Sequence, residues 1–209
     1  MFRTSLALAC TLFAANALAN CQDMLVAAVK ANSAFGADKA IRCGVDLNAQ
    51  DDNGLTPLQW AIKEKYNELA FMLLDRGSKI EGRNWKGATP LHIASVMNNR
   101  TLASELIRRG ANIEAVSSEG WTSLHFTVAR EATEVARLLI EHGAAIDAVT
   151  PEGETLLHMA ADGGRITLVE LLLQRGANAH VKTKAGLTAR EMAEKAGKNE
   201  VLALFGATR

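Results

Sequence analysis

The sequence predicts an all-α repeat protein, a solenoid built from stacked pairs of short helices. Three observations predict this fold: glycines that recur every 33 residues, a helix start that recurs with the same period, and apolar residues spaced for one helix face. The first glycine series is Gly54, Gly87, Gly120, Gly153 and Gly186. The second is Gly44, Gly77, Gly110, Gly143 and Gly176. Two series in constant phase indicate one supersecondary unit repeated along the chain.

Each central unit is expected to begin its first helix directly after a threonine. The clearest starts read Thr-Pro-Leu-Gln at 56–59, Thr-Pro-Leu-His at 89–92, Thr-Ser-Leu-His at 122–125 and Thr-Leu-Leu-His at 155–158. A threonine hydroxyl accepts a hydrogen bond from an orphan backbone N–H, and a following proline has no N–H to leave unpaired. These segments therefore predict N-capped helices.

The second helix of each unit carries an apolar stripe at i, i+4, i+5 spacing, which lies on one helix face. The stripes are Leu69, Leu73 and Leu74; Leu102, Leu106 and Ile107; Val135, Leu139 and Ile140; and Leu168, Leu172 and Leu173. The glycine that follows each stripe suits the left-handed position after a helix. The stretch from that glycine to the next threonine is expected to form a turn, which we call a finger.

Both ends of the repeat array are expected to act as caps. The first unit starts near Asp23 and has a weak second helix, because Gly36 falls where Leu69 lies in the next unit. The last unit starts at Thr188 and has a polar outer surface, as solubility of a stacked repeat protein requires. We therefore expect six units, the first and last as caps.

The signature Thr-Pro-Leu-His-x-Ala stands complete at residues 89–94 and in degraded form in the other units. With this signature, period and glycine placement, the chain resembles the ankyrin repeat family over about residues 21–209. The resemblance implies stacked helix pairs with β-turn fingers on one side. It also implies a concave surface, formed by the fingers and first helices, that binds other proteins.

Residues 1–19 have the three-part layout of a secretory signal peptide. Arg3 supplies a positive start, 6–18 is almost wholly apolar, and Ala17-Leu18-Ala19 is a small-x-small cleavage site. The apolar run is shorter than the roughly 20 residues of a membrane span. We expect a mature domain of residues 20–209 that is periplasmic or secreted. A buried N-terminal helix is the alternative, and a lipoprotein acylated at Cys21 is less favoured because Asn20 departs from the lipobox pattern.

Removal of the leader leaves two cysteines, Cys21 and Cys43. They lie just before the first helix and at the end of the second helix of the first unit, positions that share one end of a helix pair. A disulfide there is feasible and would close a loop of about 20 residues, adding about 3 kcal/mol on the chain-entropy model. Two free thiols, or a lipidated Cys21, are the alternatives.

The charge pattern excludes a uniform polyelectrolyte partner. The chain has 23 basic and 23 acidic residues, which argues against nucleic acid and anionic membranes. The fingers alternate in sign along the sequence: Asp51 and Asp52; Arg83 and Lys86; Glu114 and Glu119; Asp147, Glu152 and Glu154; Lys182 and Lys184. Such a pattern suits a protein partner with its own mixed charges.

The recurring His92, His125 and His158 invite a metal-site hypothesis, but helices packed about 8–10 Å apart do not bring successive rings to ligand distances of about 2.1 Å. The same repeat position holds Gln59 and Glu191, which form capping boxes with the preceding threonine. We therefore expect the histidines to be structural, and we expect no metal and no cofactor.

The tryptophans differ in their expected roles. Trp60 aligns with Ile93, Phe126 and Met159 and is expected in the core. Trp85 and Trp121 lie on fingers, where exposed indoles often anchor interfaces. The predicted partner-binding patch is Arg83, Trp85, Val96, Met97, Trp121 and Arg130. The alternative is that each finger tryptophan covers the neighbouring finger.

The sequence thus predicts a monomeric, exported protein-binding module. We expect it to be non-enzymatic, since the sequence contains neither a phosphate-binding loop nor a nucleophile elbow. Secreted bacterial ankyrin proteins that it resembles include immunity proteins against toxins and proteins that support peroxide defence alongside catalase. A periplasmic immunity or inhibitor protein, or a lipid-anchored envelope scaffold, is the alternative function.

Overall fold

A computed structural model describes residues 20–207 of the 209-residue chain. The predicted leader, residues 1–19, lies outside the described residues. Within the described range the chain forms twelve helices in six consecutive pairs. Internal contacts group the described residues into an N-terminal unit that ends at residue 85 and a C-terminal unit that begins at residue 86.

The N-terminal unit contains two helix pairs. They are α1 (20–30, the part described), α2 (Ala34–Ile41), α3 (Pro57–Lys63) and α4 (Asn67–Asp75). The weak helix expected near Gly36 does form, because the side chain of Ser33 caps α2 by accepting a hydrogen bond from the Gly36 N–H. Leu25, Leu58 and Leu69 are fully buried and form part of its core.

The C-terminal unit contains four helix pairs. Its helices are α5 (Pro90–Val96), α6 (Arg100–Arg108), α7 (Ser123–Arg130), α8 (Thr133–Glu141), α9 (Leu156–Asp162), α10 (Ile166–Gln174), α11 (Ala189–Lys195) and α12 (Asn199–Ala207). First helices of successive pairs pack against each other, as α5 does on α7 and α7 on α9. The core is aliphatic, with Leu91, Leu106 and Leu139 among its fully buried side chains.

The predicted threonine caps are confirmed. Thr56, Thr89, Thr122, Thr155 and Thr188 are the N-caps of the five first helices that follow α1 and α2, and each belongs to a capping box. The box partner is glutamine, histidine or glutamate three residues later, as the repeat position predicts. Local hydrogen bonding therefore sets where these helices begin.

The two helices of each pair are joined by a residue in the left-handed region. In the first four pairs this residue is not glycine: Asn32, Lys65, Asn98 and Glu131 have φ between 48° and 60°. In the last two pairs the position is held by Gly164 and Gly197. The tight turn is therefore a property of the repeat, whichever residue occupies it.

The fingers contain little regular structure. Two isolated antiparallel bridges, Val116 with Thr122 and Val149 with Thr155, are the β pairings in the described residues. Successive fingers within a unit are in close contact. The finger backbone is also tied by side chains: the Asp51 carboxylate, for example, accepts from the Asn53 and Leu55 N–H groups. In the later fingers the hydroxyls of Ser117, Thr150 and Thr183 accept from the corresponding backbone N–H groups, so the fingers are built by backbone turns and short side-chain acceptors.

The outer surface of the second helices carries ion pairs. Glu105 accepts from Arg108 and Arg109, and these hydrogen bonds lower the pKa of its carboxyl to about 2. Asp38 of α2 is bound by Arg76 and Arg42, and the hydrogen bond from Arg76 contributes most to lowering its pKa. Partly exposed pairs of this kind add little stability each, and we assign them a structural role.

Candidate functional site

The histidine position three residues after each cap is a structural link. In α5 the His92 Nδ1 accepts from the Thr89 N–H at 3.0 Å, and its Nε2 is 3.0 Å from the carbonyl oxygen of Trp121 in the next repeat. His158 makes the equivalent contact with the Leu187 carbonyl at 3.0 Å. In the N-terminal unit Gln59 donates to the Gly82 carbonyl at 2.9 Å. The side chain at this position therefore caps its own helix and holds the following finger.

His125 is the exception in this series. Its Nδ1 accepts from the Thr122 N–H, but its buried Nε2 has no hydrogen-bond partner among the described residues. Burial lowers the pKa of His125 to about 4. The Ala148 carbonyl is near enough to oppose this shift in part, but it does not meet the geometry of a hydrogen bond to Nε2. The ring is therefore neutral at physiological pH.

No group of three or more histidine, cysteine, aspartate or glutamate side chains within residues 20–207 is arranged to hold a metal ion. The rings of His92 and His158 use both nitrogens in the capping and inter-repeat contacts. These hydrogen bonds give both histidines a structural role, in which each caps its own helix and holds the next finger.

The residue that follows this link is apolar and partly exposed in five consecutive repeats. It is Trp60 in the N-terminal unit and Ile93, Phe126, Met159 and Met192 in the C-terminal unit. We call the four side chains of the C-terminal unit the first-helix row, because each projects from the first helix of its pair at the same repeat position. The preceding residue is buried in four of these repeats, so the row lies at the edge of the buried face. The expectation that Trp60 lies in the core is therefore wrong.

Trp60, the equivalent residue of the N-terminal unit, lies between two lysine side chains. Lys30 Nζ lies 4.9 Å and Lys63 Nζ 4.7 Å from the centroid of its ring, and both lysine side chains are about half exposed, at 45% and 47%. A crevice beside the indole is lined by apolar residues of α1 and the adjoining finger, including Val26 and Leu55. The lysines cover part of the aromatic face by cation–π attraction, which the aromatic pattern in the sequence did not reveal.

The predicted patch falls in both units. Arg83 and Trp85 lie on the finger that ends the N-terminal unit, and both are exposed, Trp85 by 67%. One face of the indole covers Gly54 on the preceding finger. Trp85 thus lies over its neighbouring finger, yet most of its surface is open, and its contact with a partner stays a prediction.

The other four patch residues lie in the C-terminal unit. Val96 and Met97 at the end of α5 are partly exposed, and Arg130 at the end of α7 is exposed. Trp121 is partly buried; its ring centroid is 5.4 Å from that of Phe126 and 6.3 Å from that of His125. Phe126 was not among the predicted site residues, although its alignment with Trp60 was visible in the sequence.

The finger carboxylates fall into two groups. Those of Asp51, Glu114 and Asp147 accept hydrogen bonds from backbone N–H groups and are structural. Those of Asp52, Glu119, Glu152 and Glu154 have no ion-pair or hydrogen-bond partner in the part of the chain that the structure describes. Only the second group is available to a ligand, a distinction that the finger sequence does not show.

Cys21 and Cys43 lie close together at one end of the first helix pair. Both are free thiols in the structure, and a hydrogen bond between them raises the pKa of the Cys21 thiol. The Cys43 Sγ also lies 3.7 Å from the Lys39 carbonyl oxygen, to which it donates a hydrogen bond. The proximity is compatible with the expected pairing, and the disulfide itself stays a prediction.

The family model for ankyrin repeats (3 copies) matches residues 24–117 and 98–183, which together span more than half of the chain. The chain belongs to the ankyrin repeat family. The crystal structure of the ankyrin repeat domain of Bcl-3, described as a unique member of the IkappaB protein family, is similar in fold. The TM-score is 0.81 at 26% sequence identity, covering 88% of this chain and 85% of that one. No curated protein sequence matches the chain.

Ankyrin repeats are protein–protein interaction modules, and the fold is generally a non-enzymatic scaffold. The all-helical architecture predicted from the sequence is confirmed. Among residues 20–207, none of the helices combines the length and the apolar character that crossing a bilayer would require.

Proposed function

We propose that this ankyrin repeat protein is an exported, monomeric, non-enzymatic binding module that holds a protein partner on its first-helix row and fingers. The main support is the row itself, which keeps a large apolar side chain partly exposed in repeat after repeat of the C-terminal unit, at Ile93, Phe126, Met159 and Met192. Large apolar side chains that stay partly exposed on successive packed first helices are typical of a protein interaction site. Aromatic and methionine side chains are also enriched at interfaces.

The N-terminal unit carries comparable surface of its own. Trp60 occupies the equivalent position in α3, and Trp85 on the finger is 67% exposed next to Arg83. A largely exposed tryptophan has the rigid, amphipathic area from which interface hot spots are built. We therefore retain Trp85 in the predicted patch, and we add Phe126 because it shares the exposed aromatic surface with Trp121.

Photo-crosslinking tests this surface directly. A benzoylphenylalanine residue replaces Met159, which lies in the row, and in a control protein it replaces Glu170, which is exposed on α10. After expression in the native cell, we expect a discrete covalent complex from the Met159 position and none from the Glu170 position. Mass spectrometry then identifies the partner. Equal crosslinking from both positions, or crosslinking only from Glu170, would contradict the proposed surface.

The partner so identified allows a quantitative test of Trp85. We expect Trp85→Ala to weaken binding by about 2 kcal/mol, the scale of an interface hot spot. Because the side chain is largely exposed, the melting temperature is expected to change little. Trp121→Ala is a less clean variant, since it also removes the contact with Phe126. A large loss of stability with unchanged affinity would show that Trp85 is structural.

Export rests on the leader-like sequence of residues 1–19. The expected mature protein begins at Asn20 and is recovered from the periplasm or the medium, which intact-mass analysis of the fractionated protein measures. Acylation at Cys21 would instead indicate a lipid-anchored envelope scaffold. A retained Met1 in the cytoplasmic fraction would refute export. If the crosslinked partner is a toxin, the protein acts as an immunity or inhibitor protein.

A further inference from the structure

Two adjacent repeats of the C-terminal unit place an aromatic pair beside unpaired acids. Trp121, at the base of one finger, and Phe126, on α7, are both partly exposed, and their rings meet at an angle of 59°. The finger of Trp121 touches the next finger. Pro151 Cγ lies only 3.0 Å from the position that a Cβ on Gly120 would occupy. The residue after Gly120 is Trp121, and the residue after Pro151 is Glu152. The aromatic surface and this acid therefore belong to fingers in direct contact.

Glu154 extends the acidic side of this surface. It occupies, one repeat later, the position of Trp121, and it is partly exposed. Trp121 and Glu154 directly precede the N-caps of α7 and α9, two helices that are in contact. Because packed helices lie about 8–10 Å apart, we expect a similar spacing between these two residues. The carboxylates of Glu152 and Glu154 have no partner in the described residues, whereas that of Asp147 on the same finger accepts the Asn178 N–H.

The surrounding charges limit what can bind. Lys86 stands on the preceding finger and Lys184 on the following one, with Lys184 lying over Gly153. The acidic stretch from Glu119 to Glu154 is thus bounded by a lysine on each side. The carboxylates of Glu119, Glu152 and Glu154 repel a negatively charged ligand, so this surface disfavours a nucleic acid phosphate.

We propose that Trp121, Phe126, Glu152 and Glu154 form a recognition site for a lysine or arginine side chain of the protein partner. The inference rests on the proposed function, for which it supplies the chemistry of the partner. The aliphatic stem of such a side chain covers the apolar rings, and its charged head interacts with the indole face and the carboxylates. Charge-assisted hydrogen bonds of this type are stronger than neutral ones.

Three short acetylated and amidated peptides of the form Gly-Leu-X-Leu-X-Leu-Gly, with X as lysine, glutamine or glutamate, probe the site in the full chain. Binding is followed by NMR through the tryptophan indole N–H signals, with that of Trp121 assigned from a Trp121→Phe variant. We expect the lysine peptide to shift the Trp121 signal, the glutamine peptide to bind more weakly and the glutamate peptide not to bind. The affinity of the lysine peptide should fall as salt is raised, because the site is exposed.

The decisive variant is Glu152→Gln/Glu154→Gln, which keeps the side-chain shape and removes both charges. We expect it to weaken the lysine peptide at least about tenfold, since close opposite charges at interfaces couple strongly. The matched control is Glu170→Gln on α10, which is expected to bind as the unchanged protein does. Equal binding of the lysine and glutamate peptides, absence of any binding, or full affinity in the double variant would overturn the inference.

The same variants separate this inference from the proposed function. If the crosslinked natural partner binds the Glu152→Gln/Glu154→Gln protein with full affinity, the basic side-chain site is wrong and the row can still be the interface. If the lysine peptide binds with the expected charge dependence but Met159 yields no crosslinked partner, the site recognises basic side chains as inferred, whereas the proposed function is wrong.

Discussion

The indole of Trp85 lies directly over the backbone of Gly54 on the preceding finger of the N-terminal unit. A Cβ built on Gly54 would lie 2.7 Å from Trp85 Cδ1, closer than real Cβ atoms approach other heavy atoms. Gly54 also has a φ of +73°, in the left-handed region. Two separate physical requirements therefore keep this residue a glycine, and comparison with a second glycine separates them.

We expect Gly54→Ala to destabilise the protein more than Gly186→Ala. Gly186 has a similar φ of +77°, but a Cβ placed there would meet no atom of the described residues within 4 Å. Alanine at Gly186 should cost only the left-handed strain, about 1 kcal/mol, whereas alanine at Gly54 must also displace the indole. Chemical denaturation measures both. In a Trp85→Ala background the extra cost at Gly54 should disappear, and its persistence would contradict the close approach as its cause.

His125 predicts a pH dependence of stability. Its folded pKa of about 4 lies below the ordinary histidine value of 6.5, so the unfolded chain binds a proton that the folded protein excludes between these values. The free energy of unfolding should therefore fall as the pH drops from 6.5 to 4, by up to about 3 kcal/mol from this group. Urea unfolding across this range is the measurement.

The control for this prediction is His125→Gln, because Gln59 fills the same repeat position in α3 and completes a capping box there. The unfolding free energy of the unchanged protein, taken relative to that of the variant, should fall steadily as the pH is lowered through this window. A difference that is constant with pH would show that His125 is protonated in the folded state or accessible to water.

The turns between paired helices predict a stabilising substitution. Lys65 has a φ of 60° and is exposed, while Gly197 holds the same repeat position in the last pair with a φ of 69°. Lys65→Gly should stabilise the protein by about 0.5–1 kcal/mol by removing left-handed strain, after the entropic cost of glycine. Gly197→Ala should destabilise it by about 1 kcal/mol. Thermal unfolding of Lys65→Gly and Gly197→Ala measures these changes. Lys65→Ala is the control, because it keeps the left-handed strain. Equal stability of Lys65→Gly and Lys65→Ala would refute the prediction.

The thiols of Cys21 and Cys43 predict disulfide formation under oxidising conditions. Treatment with oxidised glutathione, which accepts the two electrons and leaves as two reduced glutathione molecules, should join the two sulfurs with loss of both thiol hydrogens. We expect a stabilisation of about 3 kcal/mol from closing the loop, measured by denaturation with and without reductant. A Cys21→Ser/Cys43→Ser protein should show no such difference. Labelling of both thiols after oxidation would contradict the pairing.

Much of the fold was predictable because its signals are local. Thr89 caps α5 through hydrogen bonds to residues only three positions away, so the sequence around it contains all the groups involved. The burial of Leu106 follows from the spacing of apolar residues on one face of α6. The nearness of Cys21 and Cys43 follows from their positions at one end of a helix pair.

The candidate site was predictable only in part. The sequence identifies Trp85 as an exposed finger residue, whereas it places Trp60 in the core and does not single out Phe126. All three are large and apolar, and a sequence pattern does not distinguish a buried aromatic residue from one that remains partly open. Likewise, Asp147 and Glu152 are both finger acids, but only Asp147 is bound by a backbone N–H of the next repeat.

The repeat length, the helix starts and the aliphatic stripes can be read from the sequence, because each depends on groups within one unit of 33 residues. Which apolar side chains stay exposed, which carboxylates remain unpaired and why His125 differs from His92 emerge only in the folded stack. These properties depend on what the next repeat presents to a side chain, and that neighbour is distant in sequence although it is close in space.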